Sequence, residues 1–378
     1  MLPDCVRRNT VNRENNAINV VENEVSFEKI DPIWLRAAEI AASLDDRLLA
    51  AQILISGIDG KGSLPAHMMT LLKESPPGGI MLFRYNLDAD NDSIRSLVMQ
   101  TAELIAGEAE IPPFVAVDHE GGSVNRFRRG TADLPDASFY RELSIAEGEP
   151  AALTILEIDS IRAGRELNDL GINLNLAPVA EYMNDNNSVF LKSRSYGTDP
   201  LFTADAAAAF IRGMELAGVL CVIKHFPGSA GTDPHYSASV IGGDRDALDE
   251  LVFPFTALVE KGCAKAVMVA HSAVPALDSK IASLSQIVMQ DWLRGDIGFQ
   301  GIIIADDFSM AAAGGQNPED AAILSVAAGA NMIIVWQSDL KRTHSAFVSA
   351  LADGRLSRER AREAAQRIIY EKILLGLM

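Results

Sequence analysis

Several side chains between Lys224 and His235 could take part in chemistry. This stretch reads Lys-His-Phe-Pro-Gly-Ser-Ala-Gly-Thr-Asp-Pro-His, and it contains two of the 6 histidines in the 378-residue chain. A turn needs the proline and the glycines, but it does not need a lysine and two imidazoles. The stretch directly follows the apolar run Val219–Ile223, which is typical of a buried parallel strand. It is therefore a candidate site at the end of a strand.

Within this stretch, Asp233 and His235 could form an acid/base pair. They lie two residues apart, so their side chains point to the same side if the backbone is extended. A carboxylate bonded to one ring nitrogen would orient the imidazole and stabilise its cation, which makes His235 a usable proton donor near neutral pH. The alternative is a turn in which Asp233 only caps a backbone amide. The local pattern by itself favours that alternative.

A second acidic pair follows another apolar run. Asp306 and Asp307 come directly after the isoleucine-rich segment Gly301–Ala305. A carboxylate at the end of a buried strand is costly unless it has partners or a task. An aspartate there could attack an electrophilic carbon, bind a metal or hold a sugar hydroxyl. The alternative, which we accept for one of the two, is that it caps the following helix.

These candidates require a scaffold that brings strand ends together. Eight apolar runs of strand length alternate with helical patterns, which favours parallel βαβ units. The runs are Gln52–Ser56, Gly79–Phe83, Phe114–Val117, Asn173–Leu176, Val219–Ile223, Lys265–Ala270, Gly301–Ala305 and Asn331–Trp336. They predict an α/β fold, a single (β/α)8 TIM-type barrel. An open doubly wound sheet is the alternative, but no Gly-x-Gly-x-x-Gly turn follows the first run.

The domain organisation follows from the same patterns. Residues 1–31 are rich in Asn and Glu and predict an N-terminal arm, and residues 32–378 form the predicted barrel domain. Periodic apolar residues predict helices at Pro32–Ala50, Ser93–Ala106, Ala151–Leu170, Thr203–Ala217, Arg245–Lys261, Pro318–Ala328 and Ser357–Leu375.

Polar and aromatic side chains concentrate directly after the eight runs. In a barrel these positions line the mouth at the C-terminal ends of the strands, where ligands bind. A packed interior does not explain so many polar groups in one layer, so the sequence predicts a ligand-binding mouth. The residues are Arg84, Asp118, His119, Glu120, Asn175, Glu181, Lys224, His225, His271, Asp306, Asp307, Trp336 and Gln337.

Two other chemistries fit parts of this set. Lys224 could form a Schiff base, as in aldolases built on barrels, and Asp118, His225, His271 and Asp306 could bind a catalytic metal. The aspartates near Lys224 fit polyol recognition better than a Schiff base. We predict no metal and no cofactor, because the chain has no early His-x-His and no compact His/Cys cluster.

Charge and hydropathy restrict the partners. The formal net charge is -18, so the long-range field repels nucleic acid and anionic membrane surfaces. No stretch approaches the ~18 apolar residues that a membrane span requires. The first residues lack the apolar core of a signal peptide, which predicts a cytoplasmic protein. A small-molecule substrate is expected, with either a monomer or a homodimer.

An ordered set of motifs resembles family 3 glycoside hydrolases, in the branch of bacterial β-N-acetylglucosaminidases. Any one of the motifs is weak, but together they occur in family order over about residues 50 to 340. They are Val117–Gly122 (Val-Asp-His-Glu-Gly-Gly), Asn173–Val179, Arg194–Gly197, Lys224–Gly228, Ala270-His271 with Pro275–Asp278, and Gly298–Gly301 leading to Asp306–Met310.

The resemblance implies residue roles and an activity. Asp306 corresponds to the nucleophile that forms a glycosyl-enzyme, and His235, supported by Asp233, corresponds to this branch's acid/base. An exo-acting retaining β-N-acetylglucosaminidase is expected, acting on a small carbohydrate such as a muropeptide or chitin-derived fragment. The residues expected to bind the sugar are Asp118, Arg194, Lys224 and His225, with His271 nearby.

Several positions depart from the family pattern. Ser229-Ala230-Gly231 replaces a His-Gly pair, and the path to Asp233 is about two residues shorter. Pro234 restricts the backbone between the two members of the predicted dyad. Further replacements are Ser123 for an Arg, His119 for a Gln and Glu181 for an Asp.

Two alternative functions remain open at this point. A phosphorylase on the same scaffold would pass the sugar to phosphate, and a histidine in place of a carboxylate would repel that anion less. A degenerate barrel that binds amino sugars without turnover is the other alternative, and the altered loop suggests it.

Overall fold

In the computed structural model, eight parallel strands form a closed barrel in the order β1 to β8. The structure describes residues 31–128, 130–231, 239–309 and 317–378. Pairing between Leu54 of β1 and Ile333 of β8 closes the barrel. The strands are β1 (Leu54–Gly57), β2 (Gly79–Leu82), β3 (Phe114–Val117), β4 (Leu174–Asn175), β5 (Leu220–Phe226), β6 (Ala266–Val269), β7 (Ile302–Ala305) and β8 (Met332–Val335). The predicted (β/α)8 barrel is confirmed.

Helices surround the barrel. They are α1 (Pro32–Ser43), α2 (Asp46–Gln52), α3 (Ala66–Glu74), α4 (Arg84–Leu87), α5 (Asn91–Ala106), α6 (Ala137–Glu147), α7 (Glu149–Asp169), α8 (Ser188–Leu191), α9 (Pro200–Leu216), α10 (Arg245–Leu251), α11 (Phe253–Glu260), α12 (Pro318–Ala328), α13 (Leu340–Asp353) and α14 (Arg358–Leu374). A π-helical segment spans Ile287–Asp296.

Aspartates begin many of these helices. The Asp90 carboxylate accepts the backbone N–H of Ser93 at the start of α5, and Asp199 accepts those of Leu201 and Phe202 at the start of α9. Such caps satisfy backbone donors that have no partner inside the helix. Part of the acidic excess of the chain therefore serves helix ends.

The barrel interior and the strand–helix layer form two apolar clusters. Interior side chains such as Ile55, Phe114, Met268 and Ile304 fill the barrel, and the opposite strand faces pack against the helices. Because both faces of each strand are buried, the strands read as continuous apolar runs rather than as an alternation.

The structure corrects some boundaries. β5 continues through Lys224 and His225 to Phe226, so these two residues lie in the strand rather than after it. The predicted single helices Pro32–Ala50 and Arg245–Lys261 were wrong, because each is a pair of helices. In the second pair, Pro254 in the first turn of α11 suits a new helix start better than a helix interior.

The N-terminal boundary is only partly visible. Residues 1–30 lie outside the described part of the chain, so the arm at residues 1–31 stays a prediction. Asp31 accepts the backbone N–H of Ile33 at 2.8 Å and the Tyr370 hydroxyl at 2.8 Å, which ties the start of α1 to α14. No helix within the described ranges is long and apolar enough to cross a membrane.

A buried lysine lies at the N-terminal end of the barrel. The Lys372 ammonium on α14 has no exposed surface, donates to the Gln52 side-chain oxygen at 2.8 Å and lies 5.3 Å from the centre of the Phe114 ring. Burial lowers the pKa of Lys372 to about 7. The folded state therefore opposes protonation of this group.

We predict that Lys372→Met stabilises the protein most at low pH. The unfolded chain holds the Lys372 proton up to a pKa of about 10.4, whereas the folded chain loses it near 7. The penalty on the wild-type fold is therefore full below about pH 7 and shrinks as the pH rises towards 10. Chemical unfolding of both proteins at pH 6 and pH 9 measures it. A stability difference that is the same at both pH values would contradict the depressed pKa.

Candidate active site

The loop after β3 turns back on itself at two glycines. Gly121 and Gly122 have φ angles of 95° and 51°, and a Cβ on either would come within 2.2 Å of the segment Pro135–Asp136. Only glycine fits such positions without a shift of the backbone. The Glu120 N–H donates to the Val124 carbonyl at 3.0 Å across this turn. The turn thereby presents both Glu120 and the following segment to the barrel mouth.

Asn175 fixes the same loop from the neighbouring strand. Its side-chain oxygen accepts the His119 N–H at 3.1 Å, and its side-chain nitrogen donates to the His119 carbonyl at 2.9 Å. Asn175 therefore holds both the N–H and the carbonyl of His119, which fixes the backbone between Asp118 and Glu120. This contact explains why a polar residue ends β4 in an otherwise apolar strand.

Five charged side chains then form one network, which we call the charge network: Asp118, Glu120, Arg126, Arg194 and Lys224. The Lys224 ammonium lies 2.5 Å from Asp118 Oδ1 and 2.6 Å from Glu120 Oε1. Arg194 donates two hydrogen bonds of 2.8 Å to the two oxygens of Glu120. Arg126 Nη2 lies 2.5 Å from Asp118 Oδ2. Charge-assisted and bidentate bonds of this kind are the strong ones in proteins.

The electrostatics keep the network charged. Burial alone would lower the pKa of Lys224, but Asp118 and Glu120 outweigh it and raise that pKa. Burial opposes ionisation of Glu120, yet Lys224 and Arg194 hold the pKa of its carboxyl well below its usual range. Lys224 and Glu120 therefore do not exchange protons near neutral pH. They form a fixed polar wall suited to hydroxyl and amide groups of a ligand.

Lys224 and His225 are neighbours, and both line the same pocket. Consecutive side chains of a regular strand point to opposite faces. Here β5 pairs with β6 at Ile223 and again at Phe226 with a shift of register between them. An irregularity of this type redirects side chains.

Glu181 holds His225 and the beginning of the next loop. Its buried carboxylate lies 2.7 Å from His225 Nδ1, and it accepts the Ser229 N–H at 2.6 Å and the Ser229 hydroxyl at 3.1 Å. A carboxylate on Nδ1 leaves the other ring nitrogen, Nε2, directed elsewhere and fixes the ring orientation. The glutamate that departs from the family pattern thus holds two residues, His225 and Ser229.

Asp306 and Asp307 have different partners at the end of β7. Asp307 accepts the Ser309 N–H at 2.9 Å and also accepts the Ser309 hydroxyl. Burial raises the pKa of Asp307. Within the described part of the chain, the Asp306 carboxylate accepts one hydrogen bond, from the Asp307 N–H at 2.9 Å. The Asp307 carboxylate is occupied by hydrogen bonds within its own turn, whereas the Asp306 carboxylate is available to a ligand in the pocket.

His271 lies behind the pocket wall. Its Nε2 is 3.0 Å from the Asp307 carbonyl and its Nδ1 is 2.7 Å from the Ser283 hydroxyl. Burial lowers the pKa of His271, and a carbonyl partner requires an N–H on Nε2. The neutral ring therefore supports the backbone beside Asp306 rather than facing a ligand.

These residues surround a cavity of about 350 Å³ at the C-terminal end of the barrel. Its polar side is the charge network with His225, and its floor is the upper layer of the barrel core. Larger grooves near α2, α3 and α5 and at the opposite end of the barrel contain none of these strand-end groups. The lining residues include Asp118, Arg126, Arg194, Lys224, His225, Asp306, Asp307, Met81, Leu176, Met268, Ile334, Phe83, Phe190 and Trp336.

The predicted site residues fall into three groups. Asp118, Arg194, Lys224, His225 and Asp306 come together in the cavity, and His271 lies behind it. The dyad at positions 233 and 235 falls outside the described residues.

The sequence prediction missed two members of the charge network. Arg126 was not considered, and Glu120 was noted only as a strand-end residue. The sequence did contain a signal for Arg126, because Arg126 closely follows the two glycines in Gly-Gly-Ser-Val-Asn-Arg. A tight turn at the glycines can bring a side chain at that spacing back towards the barrel mouth. In the described ranges, no group of three or more His, Cys, Asp or Glu could hold a metal ion.

Comparisons with known proteins agree with this fold. Residues 50–370 match the glycosyl hydrolase family 3 N-terminal domain. The chain belongs to glycosyl hydrolase family 3.

Named relatives are similar over most of this chain. A β-hexosaminidase from Stenotrophomonas maltophilia is 33% identical over 76% of this chain and 84% of its own length. The β-hexosaminidase A of Pseudoalteromonas piscicida is 30% identical over 83% of this chain, which spans 56% of that relative. The structure of a family 3 β-N-acetylglucosaminidase from Paenibacillus has a TM-score of 0.81 at 28% identity, covering 89% of this chain and 63% of that one.

We predict that Glu120→Gln destabilises the protein by roughly 3 kcal/mol, because it leaves Lys224 and Arg194 buried without their shared counter-charge. The contribution of Glu120 is present above the pKa of about 4.3 expected for an unfolded Glu and is lost as the pH falls, because the folded-state pKa is depressed. Chemical unfolding at pH 7 and at acid pH measures both effects.

The matched control is Glu39→Gln. Glu39 pairs with Arg36 at the surface, where the side chains are 69% and 65% exposed, so its loss should change stability by less than about 0.5 kcal/mol. Equal effects of the two substitutions would show that the charge network contributes no more than a surface pair.

Proposed function

We propose that this protein is an exo-acting, retaining β-N-acetylglucosaminidase that hydrolyses terminal N-acetyl-β-glucosaminides. The observation that carries the proposal is the position of Asp306, a carboxylate with few partners of its own, in the same cavity as the charge network and His225. A glycosidase of this class needs a nucleophile and a set of fixed polar groups around one sugar ring. The β-hexosaminidase names of the relatives support the amino sugar as substrate.

The polar wall suits the hydroxyl and N-acetyl groups of one sugar. Asp118 offers carboxylate oxygens as acceptors, and Lys224, Arg126 and Arg194 offer N–H donors. The three N–H donors of Lys224 exceed the two carboxylates that it meets. A sugar hydroxyl can therefore bind without breaking the charge network.

The closed floor supports exo action. Met81, Leu176, Met268 and Ile334 line the base of the cavity and belong to the packed barrel interior. A chain cannot continue through a packed core, so the cavity accepts the terminal sugar of a glycan and the remainder leaves through the mouth.

The reaction proceeds by two displacements at the anomeric carbon. The Asp306 carboxylate forms a bond to that carbon while the bond to the leaving oxygen breaks, and His235, supported by Asp233, gives a proton to the leaving oxygen. A water then attacks the same carbon and yields its proton to His235, which frees Asp306 and releases N-acetylglucosamine with its original configuration.

Asp306 suits the nucleophile better than Asp307. Burial raises the pKa of Asp307, and its two oxygens already accept hydrogen bonds from Ser309. A nucleophile must be ionised and must have an oxygen directed at the substrate. Of the pair, Asp306 is the one whose described contacts leave carboxylate oxygen available to the cavity.

We predict that Asp306→Asn lowers kcat for an aryl N-acetyl-β-glucosaminide by at least roughly 10³-fold, because the amide cannot form the glycosyl-enzyme. Release of the aryl group with time measures the loss. The control is Asp88→Asn, a carboxylate on the exposed surface, which should leave kcat unchanged. Full turnover by Asp306→Asn would show that Asp306 is not the nucleophile.

Running the wild-type reaction with and without inorganic phosphate distinguishes hydrolysis from phosphorolysis. Free N-acetylglucosamine in both cases supports hydrolysis. Accumulation of the sugar 1-phosphate would replace hydrolysis by phosphorolysis, and sugar binding without aryl release would indicate a barrel that only binds.

The assignment of His235 predicts a dependence on the leaving group. A leaving group of low pKa departs without a proton, whereas an alkoxide needs one. His235→Ala should therefore lower kcat/KM for an alkyl glycoside by roughly 10² to 10⁴, the range of general acid catalysis. The loss of kcat/KM for a nitrophenyl glycoside should be at least roughly ten times smaller. Equal losses for the two substrates, measured side by side, would remove His235 from proton transfer.

A further inference from the structure

The Glu181 carboxylate connects the polar side of the cavity to the segment that follows β5. Glu181 is buried, and its Oε1 lies 2.7 Å from His225 Nδ1 and accepts the Ser229 hydroxyl at 3.1 Å. Its Oε2 accepts the Ser229 N–H at 2.6 Å. Hydrogen bonds to a carboxylate are among the strong ones in proteins. One side chain therefore sets the position of Ser229 relative to His225.

Ser229 begins the stretch of chain that leads to the proposed proton donor. His235 follows it by six positions, and residues 232–238 lie outside the described part of the chain. Ser229 lies beyond the last residue of β5, Phe226. Its N–H and its hydroxyl both donate to Glu181. A buried side chain thus fixes the start of this stretch.

The other end of the stretch returns to the same place. The Ser239 hydroxyl accepts the Ala230 N–H at 2.9 Å and donates to the Ala230 carbonyl at 3.1 Å. The Ser239 carbonyl accepts the Ala273 N–H at 2.8 Å, and the Ala273 carbonyl accepts the Ile241 N–H at 2.8 Å. The two ends are therefore held against each other and against the loop that follows β6.

We call Glu181, Ser229, Ala230 and Ser239 the loop base. Three of them, Glu181, Ser229 and Ser239, are buried, so water competes little for their hydrogen bonds. A chain of a given number of residues has a bounded reach, and joining its ends removes much of its conformational freedom. The position of the loop base therefore restricts where a side chain between its two ends can act.

Two departures from the family pattern meet in the loop base. Glu181 replaces an aspartate, and Ser229 begins the Ser-Ala-Gly that replaces a His-Gly pair. A glutamate is one methylene longer than an aspartate, and a serine supplies a small hydroxyl beside its own N–H. The two replacements are complementary, because the longer carboxylate spans His225 and Ser229 at the same time.

We propose that Glu181 and Ser229 are positioning residues for proton transfer, which hold the loop base so that His235 approaches the glycosidic oxygen in the correct geometry. This inference rests on the proposed function. Neither Glu181 nor Ser229 is among the residues that line the cavity, so both act through His235 and not by contact with the substrate.

The first test compares two leaving groups in Ser229→Ala. This substitution removes the hydroxyl bond to Glu181 and keeps the N–H bond. We expect kcat/KM for methyl N-acetyl-β-glucosaminide to fall roughly 10-fold more than kcat/KM for the nitrophenyl glycoside, because only the alkoxide needs the proton. A purely structural role lowers both values alike, so equal losses would overturn the proposal.

The matched control is Thr101→Val, which removes a buried hydroxyl far from the loop base. The Thr101 hydroxyl donates to the Leu97 carbonyl at 2.7 Å within α5. The ratio of kcat/KM between the two glycosides should stay at the wild-type value. A change of this ratio as large as that in Ser229→Ala would overturn the proposal, because it would follow from the loss of any buried hydroxyl.

Glu181→Asp tests the length of the carboxylate. The shorter side chain keeps its charge but cannot span both partners at the same distances. We expect the methyl glycoside to lose at least as much relative to the nitrophenyl glycoside as in Ser229→Ala. Combining the two substitutions should add little to this ratio, since both break the same contact. Fully additive effects would show that Glu181 and Ser229 act separately and would overturn the loop base as one unit.

A double variant distinguishes failure of this inference from failure of the proposed function. Equal losses on the two glycosides in His235→Ala would refute the proton donor, and this inference with it. If His235→Ala shows the expected difference, Ser229→Ala combined with His235→Ala should give the same ratio as His235→Ala alone, because no donor remains to be positioned. A further change of the ratio in the double variant would overturn this inference and leave the proposed function intact.

Discussion

The structure of the site depends on the contact between the Lys224 ammonium and two carboxylates in a buried setting. An unpaired ammonium or carboxylate in that position would cost several kcal/mol, so each member requires the others. Asp118 and Glu120 come from one loop, Arg194 from a second, and Lys224 from β5. The network thus stabilises the fold only when the strand ends are already in place, and it then fixes the polar side of the cavity.

Closure of the barrel makes such a network possible. Lys224 and Asp118 are 106 residues apart in sequence, and Asp306 is farther still, yet each ends or follows a strand of the same parallel sheet. Parallel strands place all of their C-terminal ends on one side. A helix bundle or an open sheet would distribute these residues over several surfaces.

The sequence predicted the barrel well because buried parallel strands leave an unmistakable apolar signal, and the cavity residues followed from their position after those runs. It predicted helix breaks poorly, since Leu44 and Val252 fit an apolar helical pattern as well as a cap. Arg126 was missed because its role depends on how the glycine turn folds back, which spacing alone does not determine. The resemblance implied Asp306 as the nucleophile, but the physical reason to separate it from Asp307 lies in the bonds of Asp307 to Ser309, which two adjacent aspartates in a sequence do not reveal.

The packed interior of the barrel separates residues that affect stability from residues that affect substrate choice. Lys372 and its partners lie at the N-terminal ends of the strands, and the cavity lies at the C-terminal ends, with layers of Ile, Met and Phe between them. Changes at sites that share no partner have additive free energies. Resistance to unfolding can therefore be increased at one end of the molecule while substrate choice is redesigned at the other, and neither change limits the other.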